Sequence, residues 1–120
     1  MSDSLAAYRD TMRRRGEQAR REQEERRRRA RRTARRVADF LRQTYDADRV
    51  VLFGSAAEEE VPLSARSDID VAVWGLDAAD YFEAVARVQD EAAPFQVDLV
   101  RIEKCPDSLR DVIQREGREL

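Results

Sequence analysis

The run Ser67-Asp68-Ile69-Asp70-Val71 sets two carboxylates two positions apart, interleaved with the β-branched Ile69 and Val71. Along a strand, residues i and i+2 share a face. Asp68 and Asp70 therefore stand side by side, while Ile69, Val71 and Val73 point the other way. Two carboxylates that close repel, and burying them unpaired costs several kcal/mol. A divalent cation resolves the conflict, and so does a solvated strand mouth; the spacing alone weighs the two evenly. A third carboxylate, Asp98, lies in another strand-like run, Phe95-Gln96-Val97-Asp98-Leu99-Val100. By itself it reads as a polar residue of an edge strand. If the two strands are neighbours, it faces the first pair. Three carboxylates converging from adjacent strands match a two-metal phosphoryl-transfer site, with ions about 3.5–4 Å apart.

Gly54-Ser55, at the end of a third apolar run, offers a complementary half. Glycine permits close backbone approach to a phosphate, and following amides that open a helix would point their positive end at it. Ser55 adds a hydroxyl donor. A lone Gly-Ser after a strand is otherwise a turn.

The elements that must position these groups follow from periodicity. Residues 49–53 (RVVLF), 69–74 (IDVAVW) and 96–102 (QVDLVRI) read as strands, the first two apolar at most positions, as strands covered on both faces are. An amphipathic helix is expected over about residues 77–91, with Tyr81, Phe82, Val85 and Val88 inward. A last helix runs from Pro106 or Asp107 to Glu116, with Leu109, Val112 and Ile113 as its core face and Gly117 as its stop. Trp74, Phe53 and Phe95 read as core. Between the first two strands, Ala56, Ala57, Glu58, Glu59 and Glu60 suit a short helix, followed by a loop at 61–66.

Residues 4 to 45 read as one long helix, capped by Ser4 and interrupted only by Gly16. Ala30, Ala34, Val37, Ala38 and Leu41 recur at helical spacing and should pack onto the domain. Residues 13–33 hold no large apolar side chain; Glu22, Glu24 and Glu25 each precede an arginine by four, which supports a solvated helix. The expected division is an Arg/Glu-rich helical arm over 1–36 and a domain over 37–120.

The net charge of −2 hides an asymmetry. Residues 1–45 carry 15 arginines against 7 acids, and residues 46–120 carry 18 acids against 8 basic side chains. The arm suits an acidic partner, nucleic acid or the chain's own acidic half. RNA contact through phosphates is the lesser reading, because the acids are interleaved and Tyr8 is the only aromatic before residue 40. With one cysteine (Cys105) and no histidine, an internal disulfide framework is excluded and a zinc site of the Cys/His kind is disfavoured. A metal here must be a hard cation on oxygen ligands. No apolar run reaches the roughly 18–20 residues of a membrane span and no signal-peptide core stands at the N-terminus, so no membrane role and a cytoplasmic location are expected. A compact part of roughly 80 residues leaves a small stability margin, which a partner or a second copy would raise.

VVLFGS, then SDIDVAVWG, then FQVDLV, closed by DSLRDVIQREGREL, resembles the minimal nucleotidyltransferases of the DNA polymerase beta superfamily, from residue 37 to residue 120. The resemblance implies an α/β (α+β) nucleotidyltransferase fold: a small mixed sheet of three or four strands flanked by helices and preceded here by the long charged helix. It implies transfer of a nucleoside monophosphate, AMP from ATP, to an acceptor hydroxyl. Asp68, Asp70 and Asp98 would be catalytic and hold two Mg2+ ions, Asp98 acting as base. Gly54, Ser55, Ser67, Asp68 and Asp70 would bind the nucleotide. It further implies an antitoxin paired with a HEPN-domain toxin that it modifies. The family often carries an Arg and a Gly shortly after Gly-Ser, where this chain has Ala57, Glu58 and Glu59, and its 12-residue spacer from Ser55 to Asp68 is slightly long. The alternative is a catalytically degenerate module that neutralises its partner by contact.

Overall fold

The structure is a computed structural model that describes residues 2–59, 61, 63 and 68–120, the side chain of Ser2 excepted. Helix α1 runs unbroken over Ser2–Tyr45, so Ser4 lies inside it rather than capping it. No proline interrupts it, and exposed pairs such as Arg14–Asp10 at 2.6 Å line its outer side. The stripe Ala30, Ala34, Val37, Ala38 and Leu41 is 0–1% exposed. Small residues at three of these positions let the helix axis approach the sheet closely. Up to residue 18 the helix stands clear of the domain with every described side chain at least partly exposed, a reach of about 25 Å at 1.5 Å per residue. Leu5, Tyr8 and Met12 lie exposed on this part.

Packing starts earlier than the apolar periodicity suggests. Gln23, Arg26, Arg27 and Arg31 contact the segment after residue 53 through hydrogen bonds, and such contacts leave no hydrophobic signature. Among the described residues, five α1 arginines (26, 27, 31, 36 and 42) donate to backbone carbonyls elsewhere in the chain.

The strands are β1 (Arg49–Phe53), β2 (Ile69–Trp74), β3 (Val97–Arg101) and β4 (Arg118–Glu119), in the sheet order β3-β2-β1-β4. β1 is antiparallel to β2 and β4, and β2 is parallel to β3. The parallel pair requires a crossover, supplied by a 3-10 turn (Ala78–Asp80) and helix α2 (Tyr81–Ala92). Alternation divides the strands between two cores. Val50, Leu52, Ile69, Val71, Val73, Val97 and Leu99 pack on α1 and on Ala84, Val88 and Ala92 of α2. Val51, Phe53 and Ala72 face Ile102 and Ile113, the latter from helix α3 (Asp107–Glu116). By the same alternation Asp70 and Asp98 lie on the α3 face of the sheet.

Phe82 departs from expectation: it is 83% exposed. The inner stripe of α2 is Tyr81, Ala84, Val85, Val88 and Ala92, and Phe82 lies one residue, about 100°, off it. Ala84 takes the central seat. Trp74 is half-buried, with the Arg49 guanidinium 4.4 Å over its ring; Phe53 is buried. Residues 54–57 form a turn rather than a helix, and Glu60 lies outside the described residues. β3 is an edge strand, and Gln89 of α2 both accepts from Val97 N–H (3.0 Å) and donates to Val97 O (2.7 Å).

Leu41→Ala opens a cavity under the sheet and should cost about 2–5 kcal/mol, whereas Leu5→Ala on the free part of the helix should stay within about 0.5 kcal/mol. Urea denaturation of the two variants beside the parent checks this contrast; equal losses would show that the stripe at 30–41 is not the anchor.

Candidate active site

β1 ends at Phe53, whose register partner on β2 is Asp70. The chain then turns at Gly54 with φ +74°, a conformation that glycine adopts without cost. A second demand falls on the same residue: a Cβ there would run into the Asp70 carboxylate. The backbone of the turn thus rests directly against a β2 acid. Ala57 N–H closes on Gly54 O (3.1 Å) and Glu58 N–H on Ser55 O (3.3 Å), so the amides of Ser55 and Ala56 precede the first bonded amide.

On the other side of β2, Asp70 is the register partner of Asp98 in the parallel ladder. Neighbouring strands lie about 4.8 Å apart, so the two carboxylates leave adjacent backbones on one face. Asp68, immediately before β2, is exposed, as is Asp98, while Asp70 is half-buried. The electrostatic result falls on Asp70. Its carboxyl is pushed up to about 6, first by burial and then by the negative charges of Asp98 and Asp68. Asp68, Asp70 and Asp98 thus lie at one end of neighbouring strands, the same end of the sheet as Gly54 and Ser55. Ser67, the remaining nucleotide-binding candidate, lies outside the described residues.

The donors here are carboxylate oxygens with no nitrogen or sulfur among them, a set that suits a hard divalent cation such as Mg2+. Their mutual repulsion is what such a charge would relieve. Among the described residues no three acids already stand at metal-ligand spacing; Asp70 and Asp98 are brought alongside each other and Asp68 is left at the rim.

Next to Asp98 a cavity of about 400 Å³ opens on the outer side of β3, lined by Tyr81, Phe82, Leu99, Arg101 and Lys104 among others. It provides room for a second reactant beside the third carboxylate. The arginines that act around the turn are not evident from sequence. Glu59 is paired with Arg118 at 3.3 Å, and Ala56 and Ala57 present their carbonyls to Arg31 and Arg118. Only the absence of a cation directly after Ser55 hints that one must come from elsewhere.

Residues 35–120 match the family model described as polymerase beta, nucleotidyltransferase. No match is found among curated proteins. Among solved structures, a minimal nucleotidyltransferase shares 27% identity at a TM-score of 0.58, over 72% of this chain and 90% of its own. A toxin–antitoxin structure with AMP-PNP aligns at 24% identity and TM-score 0.61, covering 72% of this chain and 70% of that one. The complex of a tri-AMPylated Shewanella oneidensis HEPN toxin with an MNT antitoxin aligns at 22% identity and TM-score 0.56, covering 75% and 70%. The last two likenesses, below 25% identity, are of fold.

The raised Asp70 carboxyl has a consequence for the metal-free protein. Between pH about 4 and about 6 the folded chain holds a proton that the unfolded chain has lost, so stability falls as pH rises through that window and levels off above it. Asp70→Asn removes this slope. Thermal melts without divalent cation should find the variant more stable than the parent at pH 7, with the difference closing towards pH 4; a parent whose melting temperature is flat from pH 4 to 7 would refute the coupling.

Proposed function

The chain belongs to the polymerase beta nucleotidyltransferase family, and on that premise we propose that it transfers AMP from ATP to a hydroxyl group of a protein partner. The observation that carries the proposal is the junction at Asp70: the glycine turn at Gly54 rests on its carboxylate on one side, and Asp98 stands in register on the other.

In this reading Asp68, Asp70 and Asp98 hold Mg2+, two ions in all. When bound, these ions neutralise the carboxylates and the triphosphate and stabilise charge on the entering and leaving oxygens. The chain's own residues do the rest. Gly54 and Ser55, with Ser67, hold the triphosphate by backbone approach and hydroxyl donation. Asp98, at the mouth of the cavity beside Phe82, accepts the proton of the acceptor hydroxyl. The acceptor oxygen bonds to the α-phosphorus, the bond from that phosphorus to the bridging oxygen breaks, and pyrophosphate leaves. Burial and the neighbouring acids push the Asp70 carboxyl up to about 6 in the ion-free chain, and a bound cation would relieve that repulsion.

The fold neighbours support the choice of partner. One is a toxin–antitoxin structure with AMP-PNP, and another is an MNT antitoxin with a tri-AMPylated HEPN toxin. We extend the pairing to this chain as an antitoxin that modifies a HEPN-type toxin in the cytoplasm. The arm up to about residue 36 lies before the family match, which begins at residue 35, although it packs on the domain from residue 23 onward. Contact-only neutralisation draws its support from the acids after Ser55. Glu59 is ion-paired with Arg118, which lessens that objection to catalysis. No described helix is long and apolar enough to cross a membrane.

ATP with Mg2+ at about 100 times its dissociation constant should add about 2.7 kcal/mol of stability, several degrees of melting temperature in a domain this small. The Asp68→Asn/Asp70→Asn double variant should lose both this shift and transfer of radiolabelled AMP to a co-purified toxin. Transfer that persists in the double variant would end the proposal.

A further inference from the structure

The turn after β1 is gripped by two arginines from opposite ends of the chain. Arg31 of α1 directs Nε–H to Ala56 O at 3.2 Å and an Nη–H to Ala57 O at 3.4 Å. Arg118 of β4 directs Nε–H to Ala57 O at 2.7 Å and an Nη–H to Glu59. These bonds fall on particular peptide planes. In a trans peptide the C=O of one residue and the N–H of the next point in opposite directions. The plane that offers Ala56 O to Arg31 turns Ala57 N–H to Gly54 O; the plane that offers Ala57 O to both arginines turns Glu58 N–H to Ser55 O. Each plane is held at both ends.

The arrangement is costly, which argues against coincidence. Arg31 binds its proton less firmly than a free arginine, through burial first and then the neighbouring charges of Arg118 and Arg27. Two guanidinium groups, Arg31 half-buried and Arg118 exposed, are brought together on the one carbonyl of Ala57. The segment directly after Ser55, Ala56-Ala57-Glu58, carries no cation of its own. A planar guanidinium with donors in a fixed fork suits two successive carbonyls, as a lysine does not.

We propose that Arg31 and Arg118 are positioning residues that fix the 56–57 and 57–58 peptide planes and thereby hold Gly54 and Ser55 in phosphate-binding shape against Asp70. Neither touches the reacting atoms. The part that concerns phosphate rests on the nucleotidyltransferase reading; the part that concerns the turn does not. The long helix and the last strand are then working components of the site, joined at one backbone corner.

Amide hydrogen exchange of the full chain without nucleotide tests the grip. Arg31→Ala should speed exchange at Ala57 and Glu58, and Arg118→Ala at Glu58, by about tenfold, on the order of one lost charge-assisted hydrogen bond per peptide plane, while Val71 and Val73 in the β2 ladder keep the parent rate. Unchanged exchange at Ala57 and Glu58, or acceleration only in step with the ladder, overturns the proposal. Titration with ATP and Mg2+ tests the consequence. Both variants should raise KM for ATP about tenfold with kcat within about twofold, the pattern of lost ground-state binding. Freed amides with an unchanged KM overturn the phosphate-positioning role. A parent chain that neither binds ATP nor transfers AMP would remove the proposed function instead, and the exchange rates would then decide the grip alone.

Discussion

Asp70 stands between two demands that a single register has to meet. On one face of β2 and β3 its carboxylate adjoins Asp98, with Asp68 just before. On the other face Ile69, Val71, Val73, Val97 and Leu99 are buried against α1 and α2. Because side chains alternate strictly, a slip of one residue would bring both acids into the aliphatic layer and the aliphatics out to water. Burial of the apolar face thus fixes the position of the acids, although the acids themselves repel. The folded chain retains the repulsion because the aliphatic layer beneath it outweighs it, at about 25 cal/mol for each Å² of apolar surface removed from water.

That layer depends on α1, and α1 is held by two kinds of contact. Its alanine-rich stripe lies flat on the sheet, and its arginines reach past the stripe to carbonyls at Ala56, Ala57, Val61, Leu63, Glu91 and Leu120. Carbonyls in turns and at the ends of helices and strands lack ladder partners, and guanidinium groups supply them at long range. The basic excess of the first 45 residues is therefore partly internal. It answers the irregular backbone of the domain as well as the solvent.

Much of this is legible in the sequence where periodicity and chemistry coincide. β1 and β2 begin and end where the sequence pattern sets them, at Arg49–Phe53 and Ile69–Trp74, and the Asp-x-Asp spacing with a third acid in a later strand points to the end of the sheet where Asp70 and Asp98 stand in register. Three features are not legible, for separate reasons. The arginines of α1 sit in a charged run with interleaved acids, a pattern that ordinarily marks a solvated face; nothing in the run distinguishes the few that meet carbonyls. Hydrophobicity alone places Phe82 inward, yet a helix that packs through Ala84 and Ala92 keeps its larger neighbour outside. β4 has only two residues, both charged, and forms because β1 offers an edge to which Arg118 and Leu120 return and because Arg49 pairs with Glu119. Edge complementarity of this kind has no one-dimensional signature.

The bonds from Gln89 to Val97 give the outer strand a quality unrelated to catalysis. A carboxamide side chain carries one donor side and one acceptor, the same pair that a passing backbone would present, so Gln89 acts as a counterfeit peptide on the rim of β3. Tyr81 adds its hydroxyl to Leu99 O at 2.7 Å, one step further along. A foreign strand seeking to zip onto this rim finds its template already occupied. The opposite rim is β4, only two residues long. The sheet is blunt at both ends, one by mimicry and the other by brevity, and this guards a small domain with a half-aliphatic sheet against growing into fibrils.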